Sequence, residues 1–213
     1  IKPDYDSVRS NMLHMLAQIA DWERIAENFE LLPELGTKDK YVSPFGLLSL
    51  EDAPDRHQAR SRIYAAAYQT IPLPEYVQAS QKPSRIRVGY FSSDFTEHPV
   101  AYLIAGVIEQ HDREKFEVHG YSLNGDPKTD IRRRLSKSFD RFTDVQGLTD
   151  KAIAFQARRD GLDIAIDLNG YTAKNRAPIF AYRAAPIQIN YLGYPGTLGA
   201  DWFDYIVADK FVI

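Results

Sequence analysis

From Arg85 onward, short apolar runs alternate with amphipathic segments, and this alternation constrains the fold more than any other feature of the 213 residues. The predicted strands are 86–91, 116–123, 141–145, 162–168, 187–192 and 205–208. Between them, helical patterns start at Pro99 and recur near 130–138, 149–159 and 178–183. Strands that alternate with helices run parallel, because the chain crosses back over the sheet each time. The pattern predicts an α/β fold: a Rossmann-like, mostly parallel sheet with helices on both faces and right-handed crossovers.

Two regions precede the sheet. Residues 1–34 place Val8, Met12, Met15, Leu16 and Ile19, then Trp22, Ile25, Ala26 and Phe29, at helical spacing. A break at Asp21-Trp22 makes this a helical hairpin, with its apolar stripe expected to pack against the next helix. Residues 35–84 form a linker. It holds the turn-rich Leu35-Gly36-Thr37, a helix expected from Pro54 to Tyr68, and a stiff run with Pro72, Pro74 and Pro83. Proline at that density resists helix and sheet alike and marks a boundary. Residues 85–213 are the third region. The chain starts at Ile1 and stops soon after its last strand, at Phe211-Val212-Ile213, the pattern expected of a fragment.

Composition narrows the partners. A net charge of −3 removes any global attraction to nucleic acid. The strongest basic cluster, Arg132-Arg133-Arg134 with Lys137, is expected to spread around a helix as a solvated face. The absence of cysteine excludes disulfide and thiolate chemistry. No apolar run approaches the roughly 20 residues of a membrane span, so no membrane partner is expected and a cytoplasmic address is the default. His14, His57, His111 and His119 lack ligand spacing, and no metal site is expected. The acidic pair in Asp4-Tyr5-Asp6 reads as helix-start chemistry.

Three polar loops follow three strands and therefore share one sheet edge: Ser92–His98, Asn169–Thr172 and Gly193–Gly199. Open α/β sheets bind ligands at that edge. His98 precedes Pro99, which suits a first helical position, so the imidazole sits at the N-cap. A neutral ring there accepts a proton or polarises a substrate oxygen. Asp94 has several readings: it orients His98, binds a sugar hydroxyl, accepts a proton, or closes an Asx-turn. The glycine loop has the spacing G-x-x-G-x-x-G, which is no dinucleotide fingerprint, but it lets backbone amides approach a ligand closely.

RVGYFSSDFTEHP, DLNGYT and RAAPIQINYLGYPGTLGADWFDYIVAD together resemble the first half of the catalytic region of glycosyltransferase family 41. That family contains the protein O-GlcNAc transferases and the SPINDLY-type enzymes. KPDYDSVRSNMLHMLAQIADW resembles the tetratricopeptide repeat that runs into this region. The resemblance implies a GT-B architecture, with residues 85–213 as its N-terminal, acceptor-side lobe. It also implies inverting, metal-independent transfer from a nucleotide-sugar, UDP-GlcNAc, to Ser or Thr hydroxyls of proteins. It carries catalytic positions onto His98 and Asp94 and donor-pocket positions onto Leu192, Gly193 and Pro195. Tyr171, Thr172 and Thr197, in the same motifs, are expected beside the donor. A linker histidine of animal members is replaced within Ser43-Pro44-Phe45, so its role is not carried over. The expected partners are a nucleotide-sugar, a protein or peptide acceptor and a C-terminal catalytic lobe absent from this sequence; no other cofactor is expected. Without that lobe the fragment alone is expected to be inactive. Two further readings stay open: GDP-fucose as donor, and a non-catalytic module whose repeat region binds proteins.

Overall fold

A computed structural model describes residues 5–38, 41–68, 84–125 and 128–211. Asp4, Pro72, Pro74, Pro83 and the last two residues lie outside that set. The described residues belong to two compact units. One falls within Ile1–Gln69 plus Gly196–Asp201, the other within Thr70–Pro195 plus Trp202–Ile213. None of the described helices is long and apolar enough to cross a membrane.

The first unit is helical, with α1 (Asp6–Gln18), α2 (Trp22–Glu27) and α3 (Pro54–Ala66). The break falls where expected, and the Asp21 carboxylate caps α2 by accepting from the Arg24 amide. The buried stripe differs from the expectation. Leu13, Leu16 and Ile25 pack with Leu32, Leu35, Val42 and Leu47, whereas Met15, Ile19 and Trp22 are 59%, 69% and 62% exposed. Helical spacing names several apolar faces here, and only one of them has neighbours. Arg60 of α3 is fully buried; its Nε donates to the Leu35 carbonyl at 2.6 Å and it pairs with Glu51.

The second unit is the expected sheet. Its strands are β1 (Ile86–Ser92), β2 (Phe116–Ser122), β3 (Arg141–Asp144), β4 (Ile164–Asp167), β5 (Ile187–Tyr191) and β6 (Tyr205–Val207). All neighbours pair in parallel, in the order β3-β2-β1-β4-β5-β6. This is the order of doubly wound dinucleotide-binding sheets, with its switch point between β1 and β4. The helices are α4 (Pro99–Glu109), α5 (Asp130–Ser138), α6 (Asp150–Arg159) and the short α7 (Pro178–Ala181). Thr129 and Thr149 cap α5 and α6 by accepting from the amides of Arg132 and Ala152.

Alternation along the central strands feeds a core on each face. Val88, Tyr90, Val118 and Ile166 pack with Ile104 and Ile108 of α4 and Leu135 of α5. Phe91, Tyr121 and Ala165 pack with Ile153 and Ala157 of α6 and with Ile179 and Phe180 of α7. The Phe91 and Tyr121 rings stack at 4.4 Å. Burial on both faces explains why β1 reads as an apolar run from Val88 to Phe91. Truncating Ile104 or Leu135 to Ala would remove about 2–5 kcal/mol of stability.

The basic cluster of α5 is the expected solvated face at Arg133, Arg134 and Lys137, but not at Arg132. Arg132 is 5% exposed, with its guanidinium 5.0 Å over the Phe142 ring and donating to Ser122 Oγ at 2.7 Å. Arg134 forks onto Glu109 with two bonds of 2.7 Å, and Arg133 pairs with Asp130. Arg132 is held at the carboxyl ends of β2 and β3, where Asp144 lies 3.5 Å from it. Charge in a sequence does not reveal which arginine stem the helix turns inward.

Candidate active site

The loops after β1 and β4 meet at the switch point, the place where a doubly wound sheet opens a crevice. Asn169, 1% exposed, is the bridge. Its Oδ1 accepts from the Ser93 amide at 2.8 Å, and its Nδ2 donates to Ser93 Oγ at 2.9 Å and to Asp94 Oδ2 at 2.6 Å. The Ser93 hydroxyl donates in turn to Asp94 Oδ1 at 3.1 Å. Both oxygens of Asp94 are thus held by neutral donors. The Ser92 hydroxyl accepts from the Asp94 amide, which sharpens the turn.

His98 is the N-cap of α4, as the sequence predicts. Its Nδ1 accepts from the Val100 amide at 3.3 Å. That bond leaves Nε2 to carry the proton of the neutral ring, so the ring presents an N–H donor through a side chain that is 44% exposed. Asp94 Oδ2 lies 3.8 Å from Nδ1, beyond hydrogen-bond reach. Asp94 is therefore tied to Asn169 rather than to His98. The first amide of α4 is also taken by its own cap, and Pro99 has none to offer.

Asp167, at the end of β4, is buried, and its carboxylate closes the turn beneath Asn169. Its two oxygens accept from the amides of Asn169 (2.9 Å) and Gly170 (3.0 Å). Burial raises its pKa to about 6, although both amides and the Asn190 side chain pull the other way.

The expected donor-side residues are dispersed. Tyr171 is 1% exposed, with its ring edge-on to Tyr194 at 5.6 Å, so it supports its loop from behind. The Thr172 hydroxyl donates to the Asn169 carbonyl at 2.9 Å. Leu192 and Gly193 are half-buried and Pro195 is exposed. Leu192 holds φ at +70°, a strained conformation for a branched side chain and one that clusters at ligand sites. Thr197 belongs to the helical unit, where it accepts from the Gly199 amide at 3.3 Å.

The glycines of this loop serve internal packing first. A Cβ on Gly193 would lie 1.8 Å from the Leu168 carbonyl oxygen, so the loops after β4 and β5 touch backbone to backbone. One on Gly199 would strike the backbone of Ser61 and Arg62 in α3. These contacts, rather than a ligand, require glycine at both positions.

Among the described residues no cluster of three His, Cys, Asp or Glu is placed to hold a metal ion. Asn169 and Asp167 stand in the DLNG string, but no spacing rule marks them; their signal is the polar pair closing a buried strand.

The model of glycosyl transferase family 41 matches residues 61–212. A probable UDP-N-acetylglucosamine–peptide N-acetylglucosaminyltransferase, SEC of Arabidopsis thaliana, is 36% identical over 209 residues, covering 93% of this chain and 21% of its own length. The UDP-N-acetylglucosamine–peptide N-acetylglucosaminyltransferase of Caenorhabditis elegans is 41% identical over 130 residues, covering 61% of this chain and 11% of that protein. Among solved structures, a mutant O-GlcNAc transferase of Thermobaculum terrenum is similar with a TM-score of 0.69 at 29% identity, over 98% of this chain and 35% of that one. The chain thus spans about a fifth or less of these two curated relatives and about a third of the solved chain. The matched region takes in the whole described sheet and all three loops at its carboxyl edge, and the chain belongs to glycosyl transferase family 41.

Proposed function

We propose that the full-length protein transfers N-acetylglucosamine from UDP-GlcNAc to Ser or Thr hydroxyls of proteins, with this sheet as the acceptor-side half of the site. One observation supports the reading most. In a chain whose relatives are named for that activity, the carboxylate of Asp94 is held ready at the switch point by neutral donors. In the reaction the acceptor oxygen attacks the anomeric carbon with inversion. The new C–O bond forms as the bond to the nucleoside diphosphate breaks, the diphosphate keeps the electron pair, and the hydroxyl proton is lost.

Asp94 suits the proton's side of this exchange, as an acceptor for the attacking hydroxyl. His98, with Nε2–H outward, suits an oxygen that gains negative charge. Leu192 and Gly193 are the positions we assign to the donor side. The test is to incubate the full-length protein with acceptor peptides and either UDP-GlcNAc or GDP-fucose and to read intact peptide mass. A gain of one N-acetylhexosamine supports the reading, and a gain of one deoxyhexose changes the donor. No gain with either sugar leaves a non-catalytic interaction module.

A further inference from the structure

We propose that Asn169 is the positioning residue of the site, fixing the Asp94 carboxylate without adding charge to it. The proposal rests on the transfer reading above. Its orientation follows from bonding alone: the Ser93 amide can only donate, so the Asn169 oxygen faces it and the –NH2 faces Ser93 Oγ and Asp94 Oδ2. The bond to Asp94, at 2.6 Å, is shorter than an ordinary N–H···O contact. Asp94 sits on a turn, and its side chain is only 18% exposed. Without the amide only the Ser93 hydroxyl would restrain its two side-chain torsions.

An arginine in place of Asn169 would orient the carboxylate equally well but would neutralise it. An amide orients it and leaves its charge for the incoming hydroxyl. Asn169 is itself immobilised: its own amide donates to the buried Asp167, and its carbonyl accepts from the Thr172 hydroxyl. The clamp is therefore anchored in β4, and the group it clamps is anchored in β1.

The experiment uses the full-length protein with UDP-GlcNAc and an acceptor peptide. Asn169→Ala should lower kcat about 10- to 100-fold with both KM values within about threefold, the loss expected from a misplaced reacting group. In an Asp94→Ala background the same change should alter kcat less than about twofold, since a residue acting through Asp94 has nothing left to position. Asn169→Asp is isosteric and can still accept from the Ser93 amide, so it tests the idea even if the alanine variant fails to fold. It sets two carboxylates within hydrogen-bond distance to share a proton, and the acid limb of the kcat–pH profile should move to higher pH. A merely structural asparagine would multiply with Asp94→Ala, which overturns the proposal; an acid limb that stays in place in Asn169→Asp shows that the carboxylate beside residue 169 does not govern transfer and overturns it as well. A wild-type protein that transfers neither sugar overturns the transfer reading and the positioning role together, whereas wild-type transfer with multiplicative losses overturns the positioning role alone.

Discussion

The amino end of the sheet and the switch point at its carboxyl end hold their carboxylates differently. At the amino end Glu117, Asp140 and Asp160 each have an arginine, and Asp163 accepts from the Arg87 amide. Glu117 accepts from Arg87 Nε at 3.3 Å and lies 2.8 Å from His119 Nε2, Asp140 pairs with Arg113 at 2.7 Å, and Asp160 pairs with Arg141 at 3.2 Å. At the carboxyl end, among the described residues, neither Asp94 nor Asp167 is given a lysine or arginine partner; amides and a hydroxyl hold them. The amino end spends its charges internally, as a structural edge does. At the carboxyl end Asp144 meets Arg132 at the end of β3, but the switch point itself keeps its carboxylates oriented without a lysine or arginine, the state a group needs if it is to meet a substrate.

The sharpest way to break this contrast is Asp94→Ala in the full-length protein. Transfer should fall by about 10²–10⁴-fold, the range of a lost acid–base group, while the melting temperature stays within a few degrees. Initial rates and thermal unfolding measure the two. Equal activity would make the carboxyl end as structural as the amino end.

Gly193→Ala comes next. The added methyl would overlap the Leu168 carbonyl, and forced overpacking removes about 1–3 kcal/mol. Denaturant unfolding should register that loss, and transfer should fall as well, because Leu168 adjoins Asn169.

Titration separates the ends by sign. Asp167 has a folded pKa of about 6, above the ordinary 3.8. Its contribution is therefore full below about pH 4 and is lost as pH rises through 6, a change of about 2–3 kcal/mol at most. In Asp167→Asn this slope should vanish from melting curves taken between pH 4 and 7. Glu117 behaves oppositely. Burial pushes its pKa up, but His119 and Arg87 outweigh that and hold it below the ordinary 4.5. Its contribution is present above that value and is lost as pH falls below it. Glu117→Gln should accordingly lower stability by about 1 kcal/mol at neutral pH and flatten the acid side of the curve. It should leave kcat unchanged, the smallest effect of the set.

The sheet was legible because β1 carries the apolar run Val88–Phe91 and β2 alternates Phe116, Val118 and Tyr121 with polar or small residues, while Thr129, Thr149 and Pro99 punctuate the helices between them. The places of Asp94 and His98, in the turn after β1 and at the cap of α4, were legible because a polar turn directly after a buried strand has a known address. The partnership of Asp94 was not. It runs to Asn169, 75 residues away, and no local pattern encodes a contact across the switch point. Arg132 misled because helical spacing does not say which basic stem is covered, and Gly193 because a glycine that admits a neighbouring carbonyl looks in sequence like one that admits a ligand.

The central place of β1 has a consequence for biosynthesis. Its pairing with β2, and that of β2 with β3, can form as soon as those strands leave the ribosome, but its other edge waits for β4. At about 5–20 residues per second, the 75 residues between Asp94 and Asn169 take roughly 4–15 s to make. For that interval the nascent chain carries a half-built sheet with a bare apolar edge. The crevice closes only when β4 docks, so the site forms late, and a chain stalled before β4 holds the Asp94 carboxylate through the Ser93 hydroxyl without the Asn169 amide.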